Sequence, residues 1–318
     1  MVFHLTVFHL TEVRLANTTI MSLIQHHPRR FGTLQYVYPV ISRRSGGLSL
    51  GVNLSPTALC NFACVYCQVL AEEGMKNPLP VAQPEYRQNG TIEMDSLDSE
   101  LRQLIESIQD GTIFEQTWLA AAPQGKRVLK DIAFSGDGEP TLSPQFMEAV
   151  RLISDIRKEI CADSVKIVLI TNASTLHLAP IRSALALMLQ NNGEIWAKLD
   201  AGTPEFFRTV SRTNIPFETI HGNLIRFTQN FPVVIQTCFL ALHGQGPSAG
   251  EIRHYADRLK ALDKVQYIQI YTVARSTPEV WATPLENCRL DDIAETVRQL
   301  TGHEVRTFYA KEPETKVL

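Results

Sequence analysis

The sequence predicts an α/β protein whose parallel strands curl into a partial barrel around a polar lumen. Three observations predict it. Strand-like and helical segments alternate along most of the chain, the order that builds βαβ units and a parallel sheet. Several strands alternate apolar and polar residues, whereas parallel strands buried on both faces often read as unbroken apolar runs. Three cysteines stand together in Cys60-Asn61-Phe62-Ala63-Cys64-Val65-Tyr66-Cys67, just beyond the first of these strands.

In chain order, Val2-Phe3-His4-Leu5-Thr6 is repeated at once as Val7-Phe8-His9-Leu10-Thr11. Two copies of a pentapeptide are too few for a solenoid. Residues 1–45 therefore read as an N-terminal extension ending in an entry strand, Tyr36-Val37-Tyr38-Pro39-Val40-Ile41. His26-His27-Pro28-Arg29-Arg30 and Arg43-Arg44 flank it, a basic spot that reads either as a solvated surface or as a contact for a substrate phosphate or carboxylate. Residues 46–276 read as the barrel core, and 277–318 as a helix and strand that complete it.

Strands are expected near 48–54, 131–135, 165–171, 194–200, 232–240, 266–274 and 304–308. The long interval after the first strand holds the cysteine loop, a stretch bearing Pro78, Pro80 and Pro84, and a helix with Leu97, Leu101, Leu104, Ile105 and Ile108 on one face. Long irregular loops in compact domains are usually functional or disordered, so residues 70–95 read as a lid or a surface insertion. Ser143-Pro144 reads as a Ser cap and first-turn Pro for a helix carrying Phe146, Ala149, Val150, Ile153 and Ile156. Ser248 starts another, with Ile252, Tyr255, Ala256 and Leu259. The last carries Leu290, Ile293, Ala294, Val297 and Leu300, with Asp291 and Asp292 expected at its positive end and Gly302 beyond it.

Side chains on a strand alternate between faces. In the first strand Leu48, Leu50, Val52 and Leu54 oppose Ser49, Gly51 and Asn53. Later, Ile195, Ala197 and Leu199 oppose Trp196, Lys198 and Asp200; Gln236 shares a face with Cys238; Ile268 and Ile270 oppose Tyr267, Gln269, Tyr271 and Arg275. One face suits packed helices and the other suits a cavity lining. In such barrels functional residues sit at the C-terminal strand ends.

The 318 residues, 44% hydrophobic, suffice for one large domain. A net charge of −3 speaks against a protein built to coat nucleic acid and favours a small-molecule substrate. No apolar run reaches the length of a membrane span, and no signal peptide is evident. Cys161, Cys238 and Cys288 are scattered and form no disulfide framework, so the chain reads as cytoplasmic.

Clustered thiolates select zinc, cuprous copper or iron–sulfur clusters. A structural zinc site wants four protein ligands, and the bacterial ferredoxin run needs a fourth Cys followed by Pro. Three cysteines suit a [4Fe–4S] cube with one iron left open to a small molecule. The reading from another class is a non-catalytic metal-binding module. After the second strand comes Ser135-Gly136-Asp137-Gly138-Glu139-Pro140, where glycine permits close backbone approach and Glu139 offers an anionic acceptor. Thr171 and Asn172, at the next strand end, can hydrogen-bond a ribose or carboxylate.

The Cys60–Cys67 motif, with Tyr66 before the third Cys, resembles that of the radical S-adenosylmethionine (SAM) enzymes. The resemblance covers most of residues 30–310. It implies their partial (β/α)6 TIM-like barrel, a [4Fe–4S] cluster on Cys60, Cys64 and Cys67, and SAM as cofactor. It also implies a one-electron donor such as flavodoxin or ferredoxin. Residues 135–140 resemble the family's Gly-Gly-Glu region, with Asp137-Gly138 in place of Gly-Gly; Glu139 would receive the SAM amino group. Lys198 and Asp200 would meet its ribose and carboxylate, with Thr171 and Asn172 nearby. Gln236 and Arg275 would face adenosine or substrate.

Tyr36–Pro39, Phe134–Leu142 and Gln269–Arg275 are similar to the branch containing the tRNA wybutosine-synthesising enzyme. That enzyme has further upstream cysteines, and none precedes Cys60 here. The same branch includes the radical SAM protein of arsinothricin biosynthesis. Three reactions follow as alternatives: cleavage of SAM to a carbon radical, transfer of its 3-amino-3-carboxypropyl group to an acceptor such as trivalent arsenic, and tRNA base modification. Cys238, on the lumen face, is a soft ligand that suits the second.

Overall fold

A computed structural model describes residues 23, 29–55, 60–69, 91–115, 117–160 and 163–310. The N-terminal repeat, most of the expected lid, and Cys161 lie outside the described residues. β1 (Val37–Ser42) and β2 (Gly47–Val52) form an antiparallel hairpin. From β2 onward the sheet is parallel, through β3 (Leu129–Phe134), β4 (Lys166–Thr171), β5 (Gly193–Lys198), β6 (Val233–Cys238), β8 (Val265–Tyr271) and β10 (Val305–Phe308). This is the expected α/β partial barrel. It curls until its edges approach: Arg43, in the β1–β2 turn, donates to the Tyr309 carbonyl just beyond β10.

The alternation read from the strands is what sorts the two faces. Leu48, Leu50, Ile132, Leu169, Ile195, Ile235 and Ile268 join one apolar cluster with helix residues such as Leu101, Phe146, Leu224, Leu259 and Leu290. Burying such side chains stabilises the fold by roughly 1.5–3 kcal/mol each. The lumen face is layered. Asp131, Lys166 and Glu194 lie lowest, with Lys166 Nζ 2.5 Å from Glu194. Above them Ala133, Val168, Trp196, Val234 and Tyr267 pack as an apolar plug. Lys198, Gln236 and Gln269 follow along the same strands. The lumen is therefore polar at its mouth and apolar in its middle, not polar throughout.

Three local expectations change. Helix Phe146–Glu159 begins with an uncapped Gln145; Ser143 instead ends a one-turn 3-10 helix, Pro140–Leu142, that the Glu139 side chain caps. Helix Asn287–Thr301 starts far enough upstream that Asp291 and Asp292 miss its first turn, although Gly302 terminates it at φ 74° as expected. The strand expected over 232–240 divides, because β7 (Leu240–Leu242) leaves the barrel to pair with β9 (Ala282–Pro284). Ser248 does cap its helix, accepting from the Glu251 N–H. Among the described residues no helix is long and apolar enough to cross a membrane.

The barrel's entry is pinned by Glu100 of helix Met94–Gln109. Its carboxylate accepts the backbone N–H groups of Gln35, Tyr36 and Val37 at 2.8, 2.8 and 3.1 Å. Glu100→Ala strands all three donors. It is expected to lower the unfolding free energy by about 3 kcal/mol, measured by urea denaturation of the full chain. An unshifted midpoint would mean that water replaces the carboxylate freely.

Candidate active site

The cysteine loop lies across the C-terminal strand ends, fastened by its backbone. The N–H groups of Ala63 and Val65 donate to Ser211 and Val210 at 3.1 and 2.9 Å, at the end of helix Pro204–Ser211. Thr213 Oγ1 holds the Asn61 carbonyl at 2.8 Å, and Phe62 packs edge-on to Phe207. Cys67 N–H closes a turn onto the Cys64 carbonyl at 2.9 Å. A loop tied this way presents its thiols from a fixed backbone.

Two strand ends then meet the loop. Asn172 donates from Nδ2 to Asn61 Oδ1 at 2.7 Å and reaches Cys60 Sγ at 3.9 Å. Tyr66 donates its phenol to Asp200 Oδ2. Asp200 also accepts the Cys238 N–H at 2.7 Å and faces Lys198 Nζ at 3.3 Å. Lys198 donates to the Tyr271 phenol at 3.0 Å and lies 4.6 Å above the Tyr66 ring. Burial works against the Lys198 ammonium, but Asp200, Tyr271 and Cys64 outweigh it and raise its pKa. Burial pushes Cys64 up to about 12 against the pull of Lys198. It raises Cys60 too, with Cys64, Glu139 and Cys67 adding to the effect. The thiols thus sense one another. Among the described residues, however, no three His, Cys, Asp or Glu side chains gather as ligands of a single metal ion would.

Glu139 sits beneath this arrangement, 3% exposed. Its Oε1 accepts from Thr141 Oγ1 (2.6 Å), Thr171 Oγ1 (2.7 Å) and Thr141 N–H (3.3 Å), and its Oε2 from Asn172 N–H (2.7 Å). Burial raises its pKa and these four donors lower it; burial is the larger effect. Glu139, Thr171 and Asn172 are therefore brought together, but by bonds to one another that staple the β3 and β4 ends. Asp137 is engaged as well, by Arg29 Nη1 at 2.5 Å and Asn53 Nδ2 at 2.8 Å. Gly136 makes that contact feasible, since a Cβ there would come within 2.5 Å of Asn53 Oδ1. Gly138 stands between the two carboxylates in the same turn.

Gln236 donates to Gln269 Oε1 at 3.0 Å, leaving Gln236 Oε1 and Gln269 Nε2 buried without partners. Arg275 lies among other arginines at the edge of the loop: the carbonyl of its neighbour Ser276 accepts from Gln68, the residue after Cys67, at 3.1 Å. Cys238 is buried with Tyr66 and Val273, with Cys64 and Tyr271 packed against that group, and burial raises its pKa.

Residues beyond the sequence candidates also line the site. Tyr271 and Gln269 were visible in the strand alternation. Tyr66 was visible only as a motif position, and its bond to Asp200 spans 134 positions of sequence. Asn53, Asn61 and Arg29 carry no local signal for their partners.

No family model matches the chain. Four curated relatives do. A GTPase Obg of Brachyspira hyodysenteriae is 24% identical over 302 residues, covering 87% of this chain but 38% of that protein. A UPF0026 protein of Helicobacter pylori strain J99 is 24% identical over 258 residues, covering 79% of this chain and 71% of that one. The sequence holds no G-x-x-x-x-G-K-S/T run of a nucleotide-binding P-loop. Among solved structures, a radical SAM methyltransferase from Sphaerobacter thermophilus superposes with a TM-score of 0.55. Its identity is 15%, and the match covers 86% of this chain and 69% of that one. The fold is that of radical SAM enzymes. The cysteine loop occupies the C-terminal end of that barrel.

The barrel closes over a carboxylate with four donors, and this makes a test. Glu139→Gln turns an acceptor into an NH2 facing donors. It is expected to destabilise the cofactor-free protein by about 2 kcal/mol, read from its thermal or urea unfolding. Unchanged stability would return Glu139 to a role in ligand binding alone.

Proposed function

We propose that this chain is a radical SAM enzyme acting on a small-molecule substrate in the mouth of its barrel. Cys60, Cys64 and Cys67 would hold a [4Fe–4S] cluster, and the surrounding strand ends would hold SAM. One observation carries the reading: the three-thiol loop is fastened over the polar end of a barrel with the radical SAM fold. The donor set supports it. Four thiolates usually hold such a cube, so three leave one iron open, and thiols that sense each other without gathering at one point suit a cube better than a single ion.

When bound, the cluster and SAM together supply one-electron cleavage of a sulfonium carbon–sulfur bond, with the electron drawn from a donor such as flavodoxin or ferredoxin. The chain's own residues position and enclose. Tyr66 holds the loop to β5 through Asp200, so the thiols keep their places when solvent leaves. Asn172 places an amide donor beside Cys60 Sγ, where it would favour the thiolate; hydrogen bonds to sulfur tune such clusters. Lys198 is the cation suited to the SAM carboxylate, because its ammonium is held charged by Asp200. Glu139 supports the β3 turn; its Oε2 accepts only the Asn172 N–H and so keeps one acceptor position that would take the SAM amino group. The apolar plug beneath keeps water from entering through the barrel floor.

Anaerobic reconstitution, reduction with dithionite and mass spectrometry of added SAM test this reading. Wild-type protein is expected to bind about one [4Fe–4S] cluster per chain and to cleave SAM; Cys64→Ala is expected to lose both. 5′-Deoxyadenosine with methionine would identify hydrogen abstraction, and methylthioadenosine would identify aminocarboxypropyl transfer. Iron content and SAM consumption equal to those of the Cys64→Ala control would refute the proposal.

A further inference from the structure

Arg275 lies just beyond the end of β8, and its Nη1 is buried and bonded to nothing. Three further guanidinium groups bear on it electrostatically: Arg29, Arg44 and Arg43. Arg29 grips Asp137 and the Gly136 carbonyl, at 2.5 and 3.1 Å, yet its Nε is also buried without a partner. Arg43 donates to the carbonyls of Tyr309 and Thr272 at the β10 and β8 ends. Arg44 reaches into the lumen from the β1–β2 turn, 5.0 Å above the Tyr271 ring and 5.6 Å above Trp196.

Asp137 pairs with Arg29, and Asp131 acts electrostatically on Arg44 from the lumen floor. The Tyr38 phenol beside them donates to the Ser135 carbonyl at 2.7 Å. Arg275 is therefore the guanidinium whose charged neighbours are other arginines, and its Nη1 is buried. Burial and the neighbouring arginines bring Arg275 down to about 10, which leaves it charged at neutral pH. Holding an unpaired cation out of water beside like charges is unfavourable. A fold that retains one has a use for it, and arginine's planar fork matches carboxylate and phosphate oxygens.

We propose that Arg275, with Arg29 and Arg44, forms an anion subsite at the barrel mouth that takes the carboxylate or phosphate of the small-molecule substrate. The charge lies within the barrel, not on an outer face, so it suits a compact ligand. The proposal rests on the barrel mouth being the substrate chamber of the enzyme inferred above. Anion binding needs neither cluster nor SAM, however, so the two readings fail separately.

The test is calorimetric and thermal titration of the full chain with inorganic phosphate and with malonate, against chloride at matched ionic strength. One of the two oxyanions is expected to bind and raise the Tm, and which one does so distinguishes a phosphate from a carboxylate substrate. Arg275→Gln is expected to weaken that binding at least about tenfold, while its ligand-free Tm equals or exceeds that of wild type. Arg44→Gln is expected to weaken it less, and the exposed Arg151→Gln not at all. A second readout is Trp196 fluorescence, expected to respond to the anion in wild type and not in Arg275→Gln. Four results would overturn the proposal: no oxyanion binding beyond chloride; unchanged affinity in Arg275→Gln; an Arg275→Gln chain that fails to fold while Arg44→Gln binds like wild type; or displacement of the anion by SAM in reconstituted protein, which would give the site to SAM.

Discussion

The site depends first on the buried carboxylate of Asp200. A carboxylate removed from water requires partners, and the three it has come from different parts of the chain. The Cys238 N–H belongs to β6, Lys198 to β5, and the Tyr66 phenol to the cysteine loop. Because Tyr66 lies between Cys64 and Cys67, satisfying Asp200 also sets the loop in place. Lys198 extends the network to Tyr271 on β8. The pair is therefore a fastening for four segments as much as a local charge balance. Removing either partner would leave the other buried and uncompensated, a loss larger than the pair's own net contribution.

Glu139 repeats the device one strand pair away. Its four donors join the β3 turn to the end of β4, so that Asn172 is aimed at Cys60 by its own backbone N–H. The barrel mouth thus has two kinds of polar group. The carboxylates Asp200, Glu139 and Asp137 are each engaged by donors of the chain. The unsatisfied atoms include Gln236 Oε1, Gln269 Nε2, Arg29 Nε and Arg275 Nη1. Buried polar groups without partners are uncommon in native proteins. Here two are amides on the lumen face of adjacent strands and two belong to the arginine group at the mouth. Apart from Arg29, which grips Asp137 and also has an open Nε, the rigid scaffold and the unmet hydrogen-bonding capacity are separate sets of residues. That division is what a preorganised binding site requires.

How much of this was legible in the sequence follows from the range of each signal. Alternation along β2, β5, β6 and β8 is local, so the barrel and its lumen face could be read directly. The cysteine spacing is local too, and the thiol loop fell where it was expected. The apolar plug was less apparent because Ala133, Val168 and Val234 lie within otherwise apolar strands, where period two is masked. Helix Phe146–Glu159 was misplaced at its start because Ser143-Pro144 has the local chemistry of a cap, while the Glu139 side chain had already claimed the preceding turn. The division of the strand at Phe239 depends on β9, more than forty positions downstream, and β7 itself shows no break. The pairing of Arg29 with Asp137 is of the same kind: each residue was noticed, and nothing in the sequence joined them.

The layering of the lumen constrains how the site works. Lys166, Glu194 and Asp131 face the lower opening, and Asp131 accepts from Ser49 there. The plug of Trp196, Tyr267 and their neighbours separates this floor from the mouth, so a ligand entering from below would have to break an apolar layer. Arg44 lies over both Trp196 and Tyr271 and also acts on Asp131 at the floor, so its charge bears on both sides of the plug. In a space closed below and lined by few water-accessible groups, each remaining charge acts over a low effective dielectric and is felt more strongly than at a surface. The same plug that stabilises the barrel therefore also strengthens the electrostatics above it. Opening the plug, as a small residue at position 196 would, should weaken both together, because water admitted from the floor would screen the arginines as well as hydrate the core.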